Sequence, residues 1–287
     1  NVGSPKDAAK AVELGAEGVG LFRTEFLFLD SDTAPTVEQQ TASYTELLAA
    51  FPGKRVVARV LDAGADKPLS FLGAAHEENP ALGLRGIRAL RASEHILRDQ
   101  LTALANAQAA TEAQLYVMAP MIADAEETEY FVSLGRELGL RIVGAMAEVP
   151  SIAVLADQVL EIADFVSIGT NDLTQYTLAA DRQLGSVAAL QDPWHPAVLR
   201  LIKMLGDAGA RAGKGVGVCG EAAADPALAV VLVGLGATSL SMSASALADV
   251  RAELLTVTLD EAKARAERVL TAKSPAEARE LAAPADG

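Results

Sequence analysis

The sequence has 287 residues, 51% of them hydrophobic, so we expect a globular α/β chain with a large core rather than a disordered one. A formal net charge of −14, without any Lys/Arg-rich stretch, argues against nucleic acid and anionic membranes as general partners. The single cysteine, Cys219, excludes an intrachain disulfide, and no apolar run reaches the roughly 20 residues of a membrane-spanning helix, so we expect a cytoplasmic protein.

Seven short and almost continuously apolar segments predict parallel strands that are covered on both faces. They occupy residues 19–23, 56–62, 115–121, 141–149, 164–170, 215–220 and 239–244. Longer amphipathic segments between them, such as residues 151–163, predict helices, several of which begin at Pro or Asp and end at Gly. Repeated βα units, with no G-x-G-x-x-G after an early strand, favour a TIM (β/α)8 barrel over an open dinucleotide-binding sheet.

The two ends of the sequence differ from a standard barrel. The first helical pattern follows Asn1-Val2 directly, so we expect the first strand to be truncated and the sequence to be a fragment of a longer chain. We assign residues 1–258 to the barrel and residues 259–287 to a C-terminal helix and tail. Two insertions, 24–51 and 63–97, exceed the usual length of βα connections, which is typical of lids or partner surfaces.

Carboxylates stand at the ends of two neighbouring predicted strands. Glu148 follows the fourth strand and Asp172 follows the fifth. Each alone fits a helix cap equally well. Together they suit Mg²⁺, which commonly takes one or two carboxylates plus substrate oxygens and waters, and barrel active sites form at this edge. Asn171, beside Asp172, offers an amide donor to the same ligand.

Four arginines form a second group of candidates, Arg23, Arg59, Arg85 and Arg182. For a lone arginine the default is a solvated surface charge or a weak salt bridge. Arg23 and Arg59, however, interrupt apolar strands, where burial without an anionic partner is costly. Because arginine recognises phosphate and carboxylate in bidentate geometry, several at one rim together with Mg²⁺ indicate a phosphorylated small acid.

Cys219 lies between glycines at the end of the sixth predicted strand. A buried and inert cysteine is the commoner case, but this position at the rim also fits a functional thiol that donates a proton or acts as a nucleophile. The three histidines, His76, His95 and His195, have no evident triad or metal partner. For His195, at a predicted helix start, capping or packing is the favoured role.

Seven segments resemble, in order along the chain, the motifs of phosphoenolpyruvate-utilising enzymes. They are GVGLFRTEFLF, RVLDAGADKPL, NPALGLRGIR, GAMAEVPS, DFVSIGTNDLTQYTLAADR, GVGVCGEAAADP and GLGATSLSMSA. They are similar to the C-terminal, substrate-binding domain of phosphoenolpyruvate-protein phosphotransferases, the enzyme I family of the bacterial sugar phosphotransferase system. Pyruvate phosphate dikinase and phosphoenolpyruvate synthase share the barrel, but RTEFLF, GADKPL and TQYTLAADR resemble them less.

The resemblance implies a TIM barrel that binds phosphoenolpyruvate with Mg²⁺ and forms a homodimer. The substrate ligands that it implies are Arg23, Arg59, Arg85, Asn171, Asp172 and Arg182. It further implies that Glu148 and Asp172 ligate Mg²⁺ and that Cys219 protonates the enolate carbon.

The family's phosphoryl transfer also requires parts beyond this domain. In the family, a histidine on a separate N-terminal domain accepts the phosphoryl group and passes it to a histidine-containing phosphocarrier protein, while pyruvate is released. No TSH segment carrying such a histidine occurs among the 287 residues, so we expect this chain alone not to complete the transfer.

Two other functions remain open. A Mg²⁺-dependent C–C lyase of the citrate-lyase or aldolase type also uses barrel carboxylates and arginine, although several rim arginines suit a phosphate better than a simple carboxylic acid. The second alternative is a non-catalytic module for dimerisation and ligand sensing. In that case the insertions or the last helices would form the contact between subunits.

Overall fold

The computed structural model describes residues 1–29, 33–63, 69–72 and 77–284. Residues 64–68 of the GADKPL motif, His76 and the last three residues of the predicted tail lie outside this range. The chain divides into two compact units, Asn1–Ile122 with Glu126–Met146 and Ala123–Ala125 with Ala147–Gly287.

Seven strands occur in the described residues, and each overlaps a predicted apolar segment. They are β1 (Val19–Arg23), β2 (Arg55–Arg59), β3 (Gln114–Ala119), β4 (Val143–Ala147), β5 (Phe165–Gly169), β6 (Gly215–Cys219) and β7 (Ser239–Ser241). Residues of β4 and β5 are buried at every position, as expected for strands covered on both faces.

Within each unit the strands lie side by side in the order of the chain. In the first unit β1 pairs with β2, β2 with β3 and β3 with β4, all parallel. In the second unit β5 pairs with β6 and β6 with β7, again parallel. Val2, before the first helix, adds a parallel bridge to Phe22 of β1. Parallel strands in sequence order that alternate with helices have the topology of a TIM barrel, so the predicted fold class is confirmed.

The helices fill the connections between the strands. They are α1 (Pro5–Glu13), α2 (Phe26–Leu29), α3 (Val37–Ala49), α4 (Ile87–Ala92), α5 (Glu94–Ala110), α6 (Ala125–Glu137), α7 (Pro150–Val154), α8 (Ala156–Ile162), α9 (Thr170–Leu178), α10 (Pro196–Ala212), α11 (Pro226–Gly234), α12 (Leu247–Leu254), α13 (Leu259–Val269) and α14 (Pro275–Ala282). None of the helices in the described ranges is both long and apolar enough to cross a membrane.

Side-chain caps stabilise the first turns of several helices. Thr36 and Gln39 form a reciprocal capping box at α3, and Asp225 accepts two backbone N–H bonds at the start of α11. His195 caps α10, because its Nδ1 accepts a hydrogen bond from the backbone N–H of Ala197 at 3.2 Å. Such caps each contribute about 0.5–2 kcal/mol to stability. Of the two roles predicted for His195, capping or packing, the structure shows capping.

The long connections contain helices of their own. The first insertion holds α2 and α3, and the second holds α4 and the start of α5. Residues 151–163, which the sequence predicts as one helix, form parts of α7 and α8 with a break at Leu155. At the C-terminus, the predicted helix is α13, and much of the predicted tail forms a further helix, α14.

Candidate functional site

Arg59 ends β2 in the first unit as a buried cation, only 6% exposed. Its Nη2 donates to Oε1 of Glu25 at 2.7 Å, and its Nη1 lies 3.1 Å from Oδ2 of Asp62. Both carboxylates are buried as well. A buried guanidinium loses its hydration, so it needs anionic partners, and the chain itself supplies two.

Arg85, just before α4, joins the same cluster. Its Nη2 lies 3.0 Å and 3.2 Å from the two carboxylate oxygens of Asp62. Asp62 therefore bridges Arg85 and Arg59. With Glu25 the four buried side chains carry two positive and two negative formal charges, which cancel.

A buried polar network fixes the backbone on both sides of Arg59. Thr24 donates its hydroxyl proton to the carbonyl oxygen of Arg59 at 2.8 Å, while Oε1 of Gln100 accepts from the N–H of Leu61 at 2.9 Å. The amide of Gln100 also donates to the hydroxyls of Thr24 and Tyr44. Burial raises the pKa of the Tyr44 phenol well above its ordinary value, so Tyr44 stays neutral. A satisfied network of this kind makes the end of β2 rigid.

Arg23 differs from Arg59 in its surroundings. The two residues are register partners at the ends of β1 and β2, yet Arg23 is exposed. Its guanidinium carbon lies 5.5 Å from the ring centroid of Phe26, which is itself half exposed. The energetic cost of burying an arginine charge therefore concerns Arg59 but not Arg23, whose charge remains in contact with solvent.

Glu148 and Asp172 both belong to the second unit and are almost fully buried, at 1% and 6% exposed. Neither occupies an N-cap, because Val149 stands at that position of α7 and Gly169 at that of α9. Helix capping therefore does not account for either carboxylate. Asp172 lies in the first turn of α9, where a negative charge interacts favourably with the helix dipole.

These two carboxylates fit a Mg²⁺ ion better than a metal held by protein alone. Across the described parts of the chain, no group of three or more His, Cys, Asp or Glu side chains is placed to hold a metal ion. Mg²⁺ prefers oxygen ligands and often binds through one or two carboxylates with substrate oxygens and waters. The carboxylate oxygens of Glu148 and Asp172 are ligands of the type that this ion accepts.

Arg182 returns to Asp172 after α9 ends. Ala179 adopts a left-handed conformation at the C-cap, with φ 49°, and turns the chain back. The backbone N–H of Arg182 donates to Oε1 of Gln175 at 2.9 Å, and its Nη1 lies 3.5 Å from Oδ2 of Asp172. The side chain of Arg182 remains 32% exposed, so the guanidinium can reach another anion without leaving the protein surface.

Cys219 ends β6 opposite Gly169 of β5 and is buried. Its Sγ donates to the carbonyl oxygen of Ile168 at 3.3 Å. Thr170, also buried, donates its hydroxyl proton to the carbonyl oxygen of Cys219 at 2.9 Å. The sulfur of Cys219 therefore contacts the end of β5, and the backbone of Cys219 is anchored to the start of α9.

The residue after Cys219 requires glycine. Gly220 has φ +97°, and a Cβ added there would lie 2.4 Å from Oγ1 of Thr170 and 3.1 Å from Oδ1 of Asn171. Beyond it, the N–H of Glu221 donates to Oδ1 of Asn171 at 3.4 Å. Since Oδ1 accepts this bond, the NH₂ group of Asn171 is left as the donor for a ligand.

Each unit brings part of the predicted set together. In the first unit Arg59 and Arg85 meet through Asp62, and in the second Arg182 meets Asp172. Glu25 is a member of the cluster that was not among the predicted site residues. The signal that could have identified it is the need of a buried strand-end arginine for a carboxylate, because Glu25 is an acid only two residues after β1.

Comparison with solved structures supports the fold. An HpcH/HpaI aldolase/citrate lyase family protein from Burkholderia cenocepacia aligns with 89% of the chain and 90% of its own, with a TM-score of 0.52 and 16% sequence identity. The protein CitE from Mycobacterium tuberculosis, in complex with magnesium and acetate, aligns with 91% of the chain and 92% of its own, with a TM-score of 0.50 and 19% identity. At such low identity these likenesses show the fold alone.

Sequence comparison is more specific. Phosphoenolpyruvate-protein phosphotransferase of Streptomyces coelicolor is 56% identical over 98% of this chain, and those of Haloferax volcanii and Staphylococcus aureus are 44% and 41% identical over the same share. The chain spans about half the length of these relatives, 51–52%. Residues 1–259 match the family model described as PEP-utilising enzyme, PEP-binding domain. The chain therefore belongs to the family of PEP-utilising enzymes, in which PEP is phosphoenolpyruvate, and corresponds to their PEP-binding domain.

Proposed function

We propose that the chain binds phosphoenolpyruvate with Mg²⁺ and serves as the phosphoenolpyruvate-binding part of a phosphoenolpyruvate-protein phosphotransferase. The observation that carries the proposal is the buried placement of Arg59 and Arg85 at one strand edge of a chain 56% identical to such an enzyme. Because the chain covers only half of that relative, the reaction of the whole protein is part of the proposal.

In this proposal the arginines hold the anionic groups of the substrate. The residues assigned to the substrate site are Arg23, Arg59, Arg85, Asn171, Asp172 and Arg182. Of these, the four arginines and Asn171 hold the phosphate and carboxylate. Fixed guanidinium groups disperse the charge of a transferring phosphoryl group without reorganising during the reaction. Arg59 and Arg85 suit this task because their partners already hold them in place.

Glu148 and Asp172 are the residues that would hold Mg²⁺. When bound, the ion would supply Lewis-acid stabilisation of the phosphoryl and enolate oxygens. Both carboxylates are buried and carry oxygen atoms of the kind that Mg²⁺ prefers as ligands, which supports this assignment.

Cys219 is the proposed proton donor. When the bond between phosphorus and the enol oxygen breaks, the phosphoryl group leaves for a histidine and the enolate remains. Transfer of the thiol proton to the methylene carbon converts the enolate to pyruvate and leaves a thiolate. The hydrogen bond from Sγ to Ile168 supports a protonated thiol before this step.

The remaining proposals concern the whole protein. The acceptor histidine lies on an N-terminal domain and passes the phosphoryl group to the histidine-containing phosphocarrier protein of sugar transport. The protein is a cytoplasmic homodimer, and the chain alone binds substrate without turnover. The names of the relatives and the family match support this class of enzyme.

Calorimetric titration of the chain with phosphoenolpyruvate in the presence of Mg²⁺ tests the proposal. We expect binding by the wild type and none by Arg23→Ala or Arg59→Ala. Arg98→Ala, which removes an arginine from the surface ion pairs with Glu94 and Glu137, is the matched control and is expected to bind as the wild type does. Unchanged affinity in both site variants would refute the proposed role of the arginines.

A further inference from the structure

The buried arginine cluster of the first unit contains two acids to which the proposed function gives no role, Glu25 and Asp62. Glu25 Oε1 accepts both from Arg59 Nη2 at 2.7 Å and from the backbone N–H of Asp62 at 3.1 Å. Asp62 in turn contacts Arg59 and Arg85. The two arginines are thus connected through one continuous chain of charge-assisted contacts.

We propose that Glu25 and Asp62 are positioning residues, which fix the guanidinium groups of Arg59 and Arg85 in the orientation that an incoming phosphate requires. This inference rests on the proposed function, because it takes the phosphorylated acid as the ligand. Each carboxylate acts through the arginines and does not itself contact the substrate.

The geometry restricts rotation of Arg59 in particular. Its two Nη atoms bind different carboxylates, Nη2 that of Glu25 and Nη1 that of Asp62. A guanidinium held at two points cannot turn about its Cζ–Nε bond without breaking a charge-assisted hydrogen bond. Arg85 contacts both carboxylate oxygens of Asp62 through its Nη2.

Stability alone does not account for this arrangement. Buried ion pairs are often no more stabilising than well-packed apolar residues of similar volume, because each charge loses its hydration. Oε2 of Glu25 is buried and makes no hydrogen bond within the described residues, which adds a desolvation cost. A cluster retained at such a cost is explained if the arginines must stay charged and oriented at this place for a ligand.

Neighbouring buried polar side chains restrict the backbone at the end of β2 in the same way. Thr24 and Gln100 bind the backbone at Arg59 and Leu61, so the strand end moves little. Thr24 also directly precedes Glu25, which ties the acid to the end of β2. Preorganisation of this type lowers the entropy that binding must otherwise remove.

Four variants of the chain test the inference, Glu25→Ala, Glu25→Gln, Asp62→Ala and Asp62→Asn. The alanine variants remove both charge and acceptor, whereas the amide variants keep an acceptor oxygen. We expect the alanine variants to bind phosphoenolpyruvate with Mg²⁺ at least about tenfold more weakly and the amide variants about threefold more weakly. Asp192→Ala, which breaks the bidentate ion pair with Arg279, is the matched control with unchanged affinity.

A second measurement, NMR of the arginine side chains, reports the rotation of the Arg59 guanidinium in the absence of ligand. In ¹⁵N-arginine-labelled wild type, we expect separate Nη signals for Arg59 because its rotation is hindered. These signals merge in Glu25→Ala and persist in Asp192→Ala. A merely structural role would lower the stability of the variants without merging these signals or weakening binding.

The outcomes separate this inference from the proposed function. If the wild type does not bind phosphoenolpyruvate, the proposed function fails, while the arginine signals still decide the positioning role. Wild-type affinity, or tighter binding, in folded Glu25→Ala and Asp62→Ala overturns the inference. Where an alanine variant does not fold, its amide counterpart decides, and unchanged or tighter binding by that counterpart likewise overturns it.

Discussion

The hydroxyl of Thr170 donates a hydrogen bond to the carbonyl oxygen of Cys219 at 2.9 Å, and both residues are buried. The bond joins the first residue of α9 to the last residue of β6. It thereby fixes the backbone that carries the thiol relative to the helix that carries Asn171 and Asp172.

We expect Thr170→Val to destabilise the chain by about 1–3 kcal/mol, because a buried carbonyl loses its donor. Thr170→Ser keeps the hydroxyl and is expected to lose much less. Urea unfolding measures both values. The looser backbone in Thr170→Val is also expected to increase the rate at which Cys219 reacts with a thiol reagent, and an unchanged rate would contradict the anchoring role.

Gly220→Ala is expected to be more damaging than the same change at another glycine with positive φ. At Gly220 the new Cβ would meet Thr170 and Asn171, whereas at Gly213, with φ +65°, nothing lies within 4 Å. Gly213→Ala therefore measures the backbone strain alone, about 1 kcal/mol. We expect Gly220→Ala to lose more stability and to weaken phosphoenolpyruvate binding, and equal stability losses in the two variants would show that the contacts do not matter.

Cys219→Ala separates binding from chemistry. The substitution removes the proposed proton donor but none of the assigned substrate or metal ligands. Binding of phosphoenolpyruvate with Mg²⁺ is expected to remain near the wild-type value in calorimetry, while pyruvate formation is lost once the N-terminal histidine-bearing half is supplied. Full turnover by this variant would remove the thiol from the mechanism.

Because the pKa of Tyr130 is raised in the folded chain, we expect the free energy of unfolding to fall at high pH. Burial, together with the hydrogen bond to Glu94, raises the pKa of the Tyr130 hydroxyl to about 12. Because this exceeds the value of about 10 in an unfolded chain, the contribution is complete below pH ~10 and is lost as the pH rises towards ~12. Urea unfolding across this range is expected to show a smaller loss for Tyr130→Phe than for the wild type, and parallel curves would exclude Tyr130 as the cause.

The pattern of apolar residues along the sequence was sufficient to predict the strands but not the bounds of every helix. Apolar runs predicted all seven strands, since a buried parallel strand must be apolar along its whole length. The break at Leu155 between α7 and α8 was missed, because the apolar pattern of residues 151–163 continues through it. The prediction that His195 caps a helix was confirmed because a cap depends on neighbouring residues only.

Local sequence pattern likewise identified the arginines but not their surroundings. Position at strand ends identified Arg23 and Arg59 together, but only Arg59 is buried. Neither Glu25 nor Asp62, the acids that bind these arginines, belonged to the predicted set. Pairs separated by 23 and 34 residues cannot be derived from spacing along the chain.

By itself the sequence determined the alternation of strands and helices, the membership in a family and the kinds of residue at each strand end, because hydrophobic periodicity and motifs are local properties of a chain. Only the tertiary structure decided which charges are buried and which groups compensate them. It showed that Arg59 and Arg85 share Asp62, that Asp172 meets Arg182 and that Thr170 anchors Cys219. Desolvation and distance, which set the energy of a charge, depend on residues that are far apart in the sequence and meet only in the folded protein.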